Sequence, residues 1–334
     1  MARVVDIHNH VYPTEWIEYL TKRRDSARIE RTGPTSMTLY WQDVHITHVS
    51  APGLYDPAAR IEDLDKYGID AQIISLTWPS VELIPAREGT EWARRINDYF
   101  AEFCRRYPGR FYANATLPFQ DVDGALKELE RARKDLAVKG IMMFSNIDGK
   151  PIASPDFYPL YAMAQEFDLP IFIHPAIPLT AEAMRKVRLP FSLYGFTLDT
   201  TMAVVSLIFQ GIFETFPRLK VIHPHLGGVV PYLAGRMEDA FRSYAKAWGF
   251  QLTKGPSEYY KDHVYIDSIS RYAPAMKCAL EFVGPDHICF GTDYGHPVGN
   301  VERAVDYVKH MGLSEKDTNK ILGDNADRIF RLNQ

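Results

Sequence analysis

The residues that could carry chemistry begin at the amino terminus, where His8 and His10 stand two apart in RVVDIHNHVYP. On a strand, side chains at i and i+2 share one face, so the two imidazoles point the same way and Asp6 joins them. An isolated H-x-H pair carries little information; further histidines at comparable places give it weight. His174 ends the run PIFIHPA, His223 and His225 end KVIHPHLGG, and Asp267 and Asp293 end HVYIDSIS and HICFGTDYG. A lone buried histidine is ordinarily a satisfied core residue. Five of the chain's eleven histidines at three strand ends are better read as a metal site, because a purely structural fold would fill those places with Val, Ile and Leu.

The elements that must position these residues alternate along the chain. After RVVDIHNH come AQIISLTW, RFYANATLP, VKGIMMFS, PIFIHPA, KVIHPHLGG, HVYIDSIS and HICFGTDYG, separated by amphipathic segments such as EWARRINDYFAEFCRRY and GALKELERARKDLA. Alternating strands and helices call for a parallel sheet. Eight repeats favour the α/β class as a closed (β/α)8 TIM barrel, and no G-x-G-x-x-G follows the first strand to support a nucleotide-binding sheet. Such barrels reach roughly 250 residues or more as one unit, so all 334 residues are expected to form a single barrel domain. Residues 14–57 are expected to be an irregular insertion after the first strand, and 311–334 a helical tail. Chemistry in a barrel lies at the carboxyl ends of its strands, which here carry Trp78 on the second strand and Asn146 past the fourth as well as the residues above.

Composition excludes several classes of function. A net charge of −4 gives no bulk electrostatic case for nucleic acid or an anionic membrane as partner. The three cysteines, Cys104, Cys278 and Cys289, lack metal spacing and fit a reducing cytoplasm, and MARVVDIHNH reads as no leader. The longest apolar stretch, MAVVSLIFQGIF, is expected to be too short to span a bilayer. His45, His263, His287 and His310 are expected at the surface or at interfaces, and Trp16, Trp92 and Trp248 in packing.

At this point the sequence resembles the amidohydrolase superfamily, and within it the family of α-amino-β-carboxymuconate-ε-semialdehyde decarboxylase, with γ-resorcylate and 5-carboxyvanillate decarboxylases as relatives. The stretches that carry the resemblance are DIHNHVYP, DPAARIEDLDKYGIDAQ, LPIFIHP, LIFQGIFETFPRLKVIHPHLGGVVPYLAGRMEDAF and GPDHICFGTDYGHPVG, spread over nearly the whole chain. The resemblance implies one divalent metal ion, zinc before manganese, held by His8, His10, His174 and Asp293. Three imidazoles and a carboxylate suit such an ion and leave a position open. Binuclear relatives carry a carboxylated lysine at the end of the fourth strand; Lys139 stands at the start of that strand, so one ion is expected. His225 matches the catalytic histidine that exchanges protons beside the metal. His223 is either its supporting partner or, as preferred here, a deeper core residue.

The implied reaction is cofactor-free decarboxylation of a small phenolic or unsaturated cyclic carboxylic acid, with His225 or Asp293 handling the proton. A hydrolase or hydratase on the same scaffold is the alternative, and a catalytically silent metal- and acid-binding barrel a third. The resemblance also implies a homodimer in which an arginine, matching Arg236 in HLGGVVPYLAGR, reaches the partner's pocket to hold the substrate carboxylate. A second arginine, from the loop after the first strand, has no counterpart; its place falls near His48. Trp78, His48 and His296 complete the expected substrate contacts.

Overall fold

The computed structural model describes residues 3–23, 27–299 and 301–333. Eight parallel strands form one sheet: Val5–His10, Ala71–Ser75, Phe111–Thr116, Gly140–Phe144, Ile171–His174, Val221–His223, Val264–Asp267 and Ile288–Cys289, each paired with the next. The sheet closes on itself, because Ile7 N–H donates to the Phe290 carbonyl (3.0 Å) and Asp293 N–H to the His8 carbonyl (2.8 Å). These are the eight expected runs, in order. They are short because the helical layer covers them and their residues are almost wholly buried, as parallel strands require.

Local chemistry fixes the helices between them. The helix Pro57–Tyr67 starts where Asp56 accepts the Ala58 N–H (2.9 Å), has Pro at its first position, and stops at Gly68 in the left-handed region. Asp121 caps Val122–Asp135 in the same way through Gly124 N–H (3.0 Å). At the other end of the barrel the tail runs through the helices Glu315–Asn319 and Asn325–Phe330. It lies across the amino-terminal mouth: Asn325 Nδ2 donates to the Pro285 and Ile288 carbonyls (2.8 and 2.7 Å), and Gly323 packs against the Arg3 backbone, where a Cβ would clash.

The segment expected to be irregular is not. A helix Thr14–Thr21 leads to a three-stranded antiparallel sheet, Ala27–Gly33, Ser36–Trp41 and Val44–Ser50. Its two hairpin loops are Pro34-Thr35 and Gln42-Asp43, neither of the Asn-Gly type that announces a hairpin, and Gln42 takes a left-handed φ of 52°. Met37, Leu39, Ile46 and Val49 are buried, and Trp41 packs on Phe191 (ring centres 5.9 Å apart), so this small sheet roofs the carboxyl-terminal mouth. A second difference concerns the apolar run. The wide helical turn Phe191–Gly195 continues into Phe196–Phe209, giving a stretch long and apolar enough to cross a membrane by length and composition alone. In the fold it packs on the fifth and sixth strands and buries Val204, Leu207 and Ile208.

Candidate active site

His8 and His10 lie fully buried on the first strand. Asp267, at the end of the seventh strand, brings one carboxylate oxygen to 2.7 Å from His8 Nδ1 and gives the other to the Leu226 and Ile269 N–H groups, each at 3.0 Å. Burial pushes the Asp267 carboxyl up, but the hydrogen bond and charge of His8 outweigh it and hold it below the usual range. With Nδ1–H donated to Asp267, His8 turns Nε2 toward the centre, where that atom is buried with no partner among the described residues. Asp293 Oδ1 stands 3.2 Å from His10 Nε2 and 3.7 Å from His8 Nε2. The His174 ring lies 4.8 Å from that of His10 and 5.3 Å from that of His8, steered by Thr77 Oγ1 at 3.1 Å from its Nδ1.

The donor set fits one cation. Donor atoms of His8, His10 and His174 lie within 4.8 Å of one another, and so do those of His10, Asp293 and His296. Burial pushes His10 down to about 3 and His174 well below its ordinary value, so both rings are neutral and offer lone pairs. Burial would raise Asp293, yet the surrounding His296, His10 and His8 hold it well below the carboxylate range, and it stays ionised. Neutral His10 and His174 and an ionised Asp293 are the protonation states metal ligands need, whereas the hydrogen bond to Asp267 and the nearby carboxylates outweigh burial and raise His8, which gives up a proton when it binds the ion. The Lys139 amine is at the far end of the barrel on the Arg331 carbonyl (3.0 Å).

A tight turn separates the two histidines of the sixth strand. The strand ends at His223, and His225, Leu226, Gly227 and Gly228 follow with φ of 53°, 59°, 74° and 57°. A run of left-handed residues is costly for His and Leu. It is held by the Leu226 N–H on Asp267, and at Gly228 a Cβ would come within 2.8 Å of the Thr197 carbonyl. The turn sends His223 into the core, on Tyr260 Oη (2.9 Å) and Thr200 Oγ1 (3.3 Å). It sends His225 to the cavity, its ring 5.2 Å from that of His8 and its Nδ1 buried with no partner among the described residues. Burial and the neighbouring His8 lower its pKa.

Above these residues opens a cavity of about 930 Å³ whose wall includes His48, Trp78, His174, His225, Asp293 and His296. The expected substrate contacts His48, Trp78 and His296 thus meet in one space, and the Trp78 Nε1 and His296 Nε2 atoms are buried without partners among the described residues. His45 is exposed, as expected, and also lines the cavity, because its strand forms part of the roof. His263, expected outside, is buried and stacked on Phe213 (4.5 Å). Trp248 is exposed rather than packed in the core. Arg236 is exposed on the helix Val230–Trp248 and does not line its own chain's cavity. Asn146 serves the scaffold, donating to Asp199 (2.9 Å) and the Ile177 carbonyl (3.0 Å). Sequence reasoning missed Thr77 and Arg271. Each stands in a loop after a barrel strand, and that position was the available signal.

The amidohydrolase family model matches residues 5–332. The chain belongs to the amidohydrolase family. This amidohydrolase is similar to γ-resorcylate decarboxylase of Rhizobium radiobacter, 32% identical over 82% of this chain and 86% of the relative. It is also similar to 2-amino-3-carboxymuconate-6-semialdehyde decarboxylase of Dictyostelium discoideum, 28% identical over 98% and 91%. Among solved structures, 5-carboxyvanillate decarboxylase of Novosphingobium aromaticivorans, complexed with manganese and 4-hydroxy-3-methoxy-5-nitrobenzoic acid, superposes with a TM-score of 0.85 at 25% identity, covering 99% of this amidohydrolase and 96% of that chain.

Proposed function

We propose that this amidohydrolase is a metal-dependent, cofactor-free decarboxylase of a small phenolic or unsaturated cyclic carboxylic acid. The observation that carries the reading is the donor cluster His8, His10, His174 and Asp293 on a cavity floor beside His225, whose Nδ1 has no hydrogen-bond partner among the described residues. Its relatives' activities support it. A divalent ion there would bind the acid's oxygen atoms and fix the carboxylate out of conjugation with the ring. The chain's own residues do the rest. His225 or Asp293, after taking up a proton from the substrate's hydroxyl or from water, delivers it to the carbon that bears the carboxylate; the carbon–carbon bond then breaks, its electron pair returns to the ring and carbon dioxide leaves. Trp78 offers its free indole N–H, His296 and His48 line the same space, and the apolar wall of Ile177, Leu189, Phe196 and Ile269 keeps water from the reacting face. The three imidazoles and one carboxylate suit zinc, and manganese in the Novosphingobium enzyme brings that ion in beside it.

The site is completed by a second copy. The helix Val230–Trp248 buries only Val230 within the chain and exposes Tyr232, Tyr244 and Trp248 together with Arg236. We assign this face to a two-fold interface through which Arg236 enters the partner's cavity. The deciding experiment is turnover in D2O of 2,6-dihydroxybenzoate and 5-carboxyvanillate by protein loaded with manganese or zinc. Release of carbon dioxide, with one deuterium at the carbon the carboxylate left, is the expected result. Ester or lactone cleavage with no carbon dioxide from any acid would move the chain to the hydrolases.

A further inference from the structure

Two of the three ligand imidazoles have a protein group that turns them: Asp267 fixes His8 and Thr77 steers His174. His10 has none. Its Nε2 faces Asp293 Oδ1 at 3.2 Å, and its Nδ1 is buried with no hydrogen-bond partner among the described residues. What restrains His10 acts through its backbone. Arg60, on the helix Pro57–Tyr67, is fully buried, and its Nη2 donates to the His10 carbonyl (2.7 Å) and to Asn9 Oδ1 (3.2 Å). Its guanidinium carbon lies 3.9 Å from the centre of the Tyr294 ring, and Asp63, one turn further along the same helix, accepts from the Tyr294 hydroxyl. Asn9 and Tyr294 are themselves joined by an isolated parallel bridge. Asn9 precedes His10 in the chain and Tyr294 follows Asp293, so Arg60 sits over the seam where the barrel closes between two ligands.

A guanidinium in this place is costly to the fold. Its charge is out of water, and Nε and Nη1 are buried without hydrogen-bond partners among the described residues. An apolar side chain of similar volume would fill the space without that cost. What the guanidinium alone supplies is a rigid plane that donates to a backbone carbonyl through its edge while its face lies on an aromatic ring. We propose that Arg60 is a positioning residue for the metal centre, holding His10 through its carbonyl and Asp293 through Tyr294. This rests on the reading of His10 and Asp293 as ligands. Arg60 does not line the cavity, so it acts on where the two donors stand and not on the substrate.

Cobalt(II) is the probe, because its visible absorption changes with the number and arrangement of its ligands. In Arg60→Lys and Arg60→Met, cobalt affinity, measured against a competing chelator, should fall by about tenfold or more, and the absorption should shift in position or intensity. Lys keeps the charge, so a loss common to both variants assigns the effect to the planar group. Tyr294→Leu removes the ring on which Arg60 lies and should act in the same direction; Tyr294→Phe, which keeps the ring, should recover most of the affinity and the wild-type absorption. Melting followed by circular dichroism separates this from a role in stability alone. A residue that only stabilised the fold would lower Tm and leave the cobalt affinity and absorption of the folded protein as in wild type, and that result would overturn the proposal. If the Arg60 variants do not fold, the Tyr294 pair decides: a Leu variant that matches wild type, or a Phe variant as impaired as Leu, would overturn it too. Wild-type protein that binds no cobalt would remove the ligand reading and the proposal with it. If carbon dioxide release fails while the cobalt effects hold, the positioning role stands and only the reaction class falls.

Discussion

Asp267 touches no part of the cavity, yet it decides which nitrogen of His8 faces the centre. It joins the ends of the first, sixth and seventh strands through His8, Leu226 and Ile269. Asn in its place keeps the shape and removes the charge, so Asp267→Asn should weaken metal binding by roughly 10–100-fold while thermal stability changes little, as read by titration against a metal buffer. His225 should behave in the opposite way. His225→Asn should retain the ion, measured by elemental analysis, and lower turnover by roughly two to four orders of magnitude. Loss of the ion in that variant would make His225 a ligand and reverse the assignment.

At the scale of elements, the turn after the second strand holds a charge that works against the fold. Glu82, in the short helical turn Val81–Leu83, is buried, and burial pushes its carboxyl up from 4.5 to about 7. The folded form thus holds a proton that the unfolded chain releases. Below pH 4.5 both forms are protonated and Glu82 contributes nothing; between 4.5 and about 7 stability falls as pH rises; above about 7 the full penalty, on the order of 3 kcal/mol, is present. Glu82→Gln should therefore gain on wild type by a few degrees in Tm between pH 5 and pH 8. A Tm difference between the two proteins that is the same at both pH values would show that the carboxyl does not titrate in the fold.

At the scale of the whole molecule, an Arg236 that enters the partner's cavity, as proposed, would make the two active sites interdependent. A helix with one buried residue and several exposed aromatic ones is poorly satisfied in a single chain. Co-expressed Arg236→Ala and His225→Ala chains should regain activity as a mixed dimer, since one of its two cavities receives both an intact histidine and an intact arginine. Each homodimer should remain poor. Mixed dimers shown to form but with no recovered turnover would mean that each cavity is built from a single chain.

The amino-acid sequence by itself determined the eight strands, their order and the ends at which the chemistry sits. Buried parallel strands must be short apolar runs, and a histidine or aspartate at the end of one has few other reasons to be there. That is why His8, His10, His174, His223, His225, Asp267 and Asp293 stood out as a candidate cluster, from which the family resemblance singled out His8, His10, His174 and Asp293 as ligands. The roof could not be read in this way, because its hairpins turn on Pro34-Thr35 and Gln42-Asp43, neither of the Asn-Gly type that announces a hairpin, and are held by burial of Met37, Leu39 and Val49. Tertiary structure also decided the fates of His223 and His225, two residues apart in sequence. Four consecutive left-handed residues, anchored through Leu226 N–H on Asp267, put one imidazole in the core and the other in the cavity. Arg271 became a cavity residue for the same reason: which loops face each other across a barrel mouth depends on how the strands close, and spacing along the chain does not contain that.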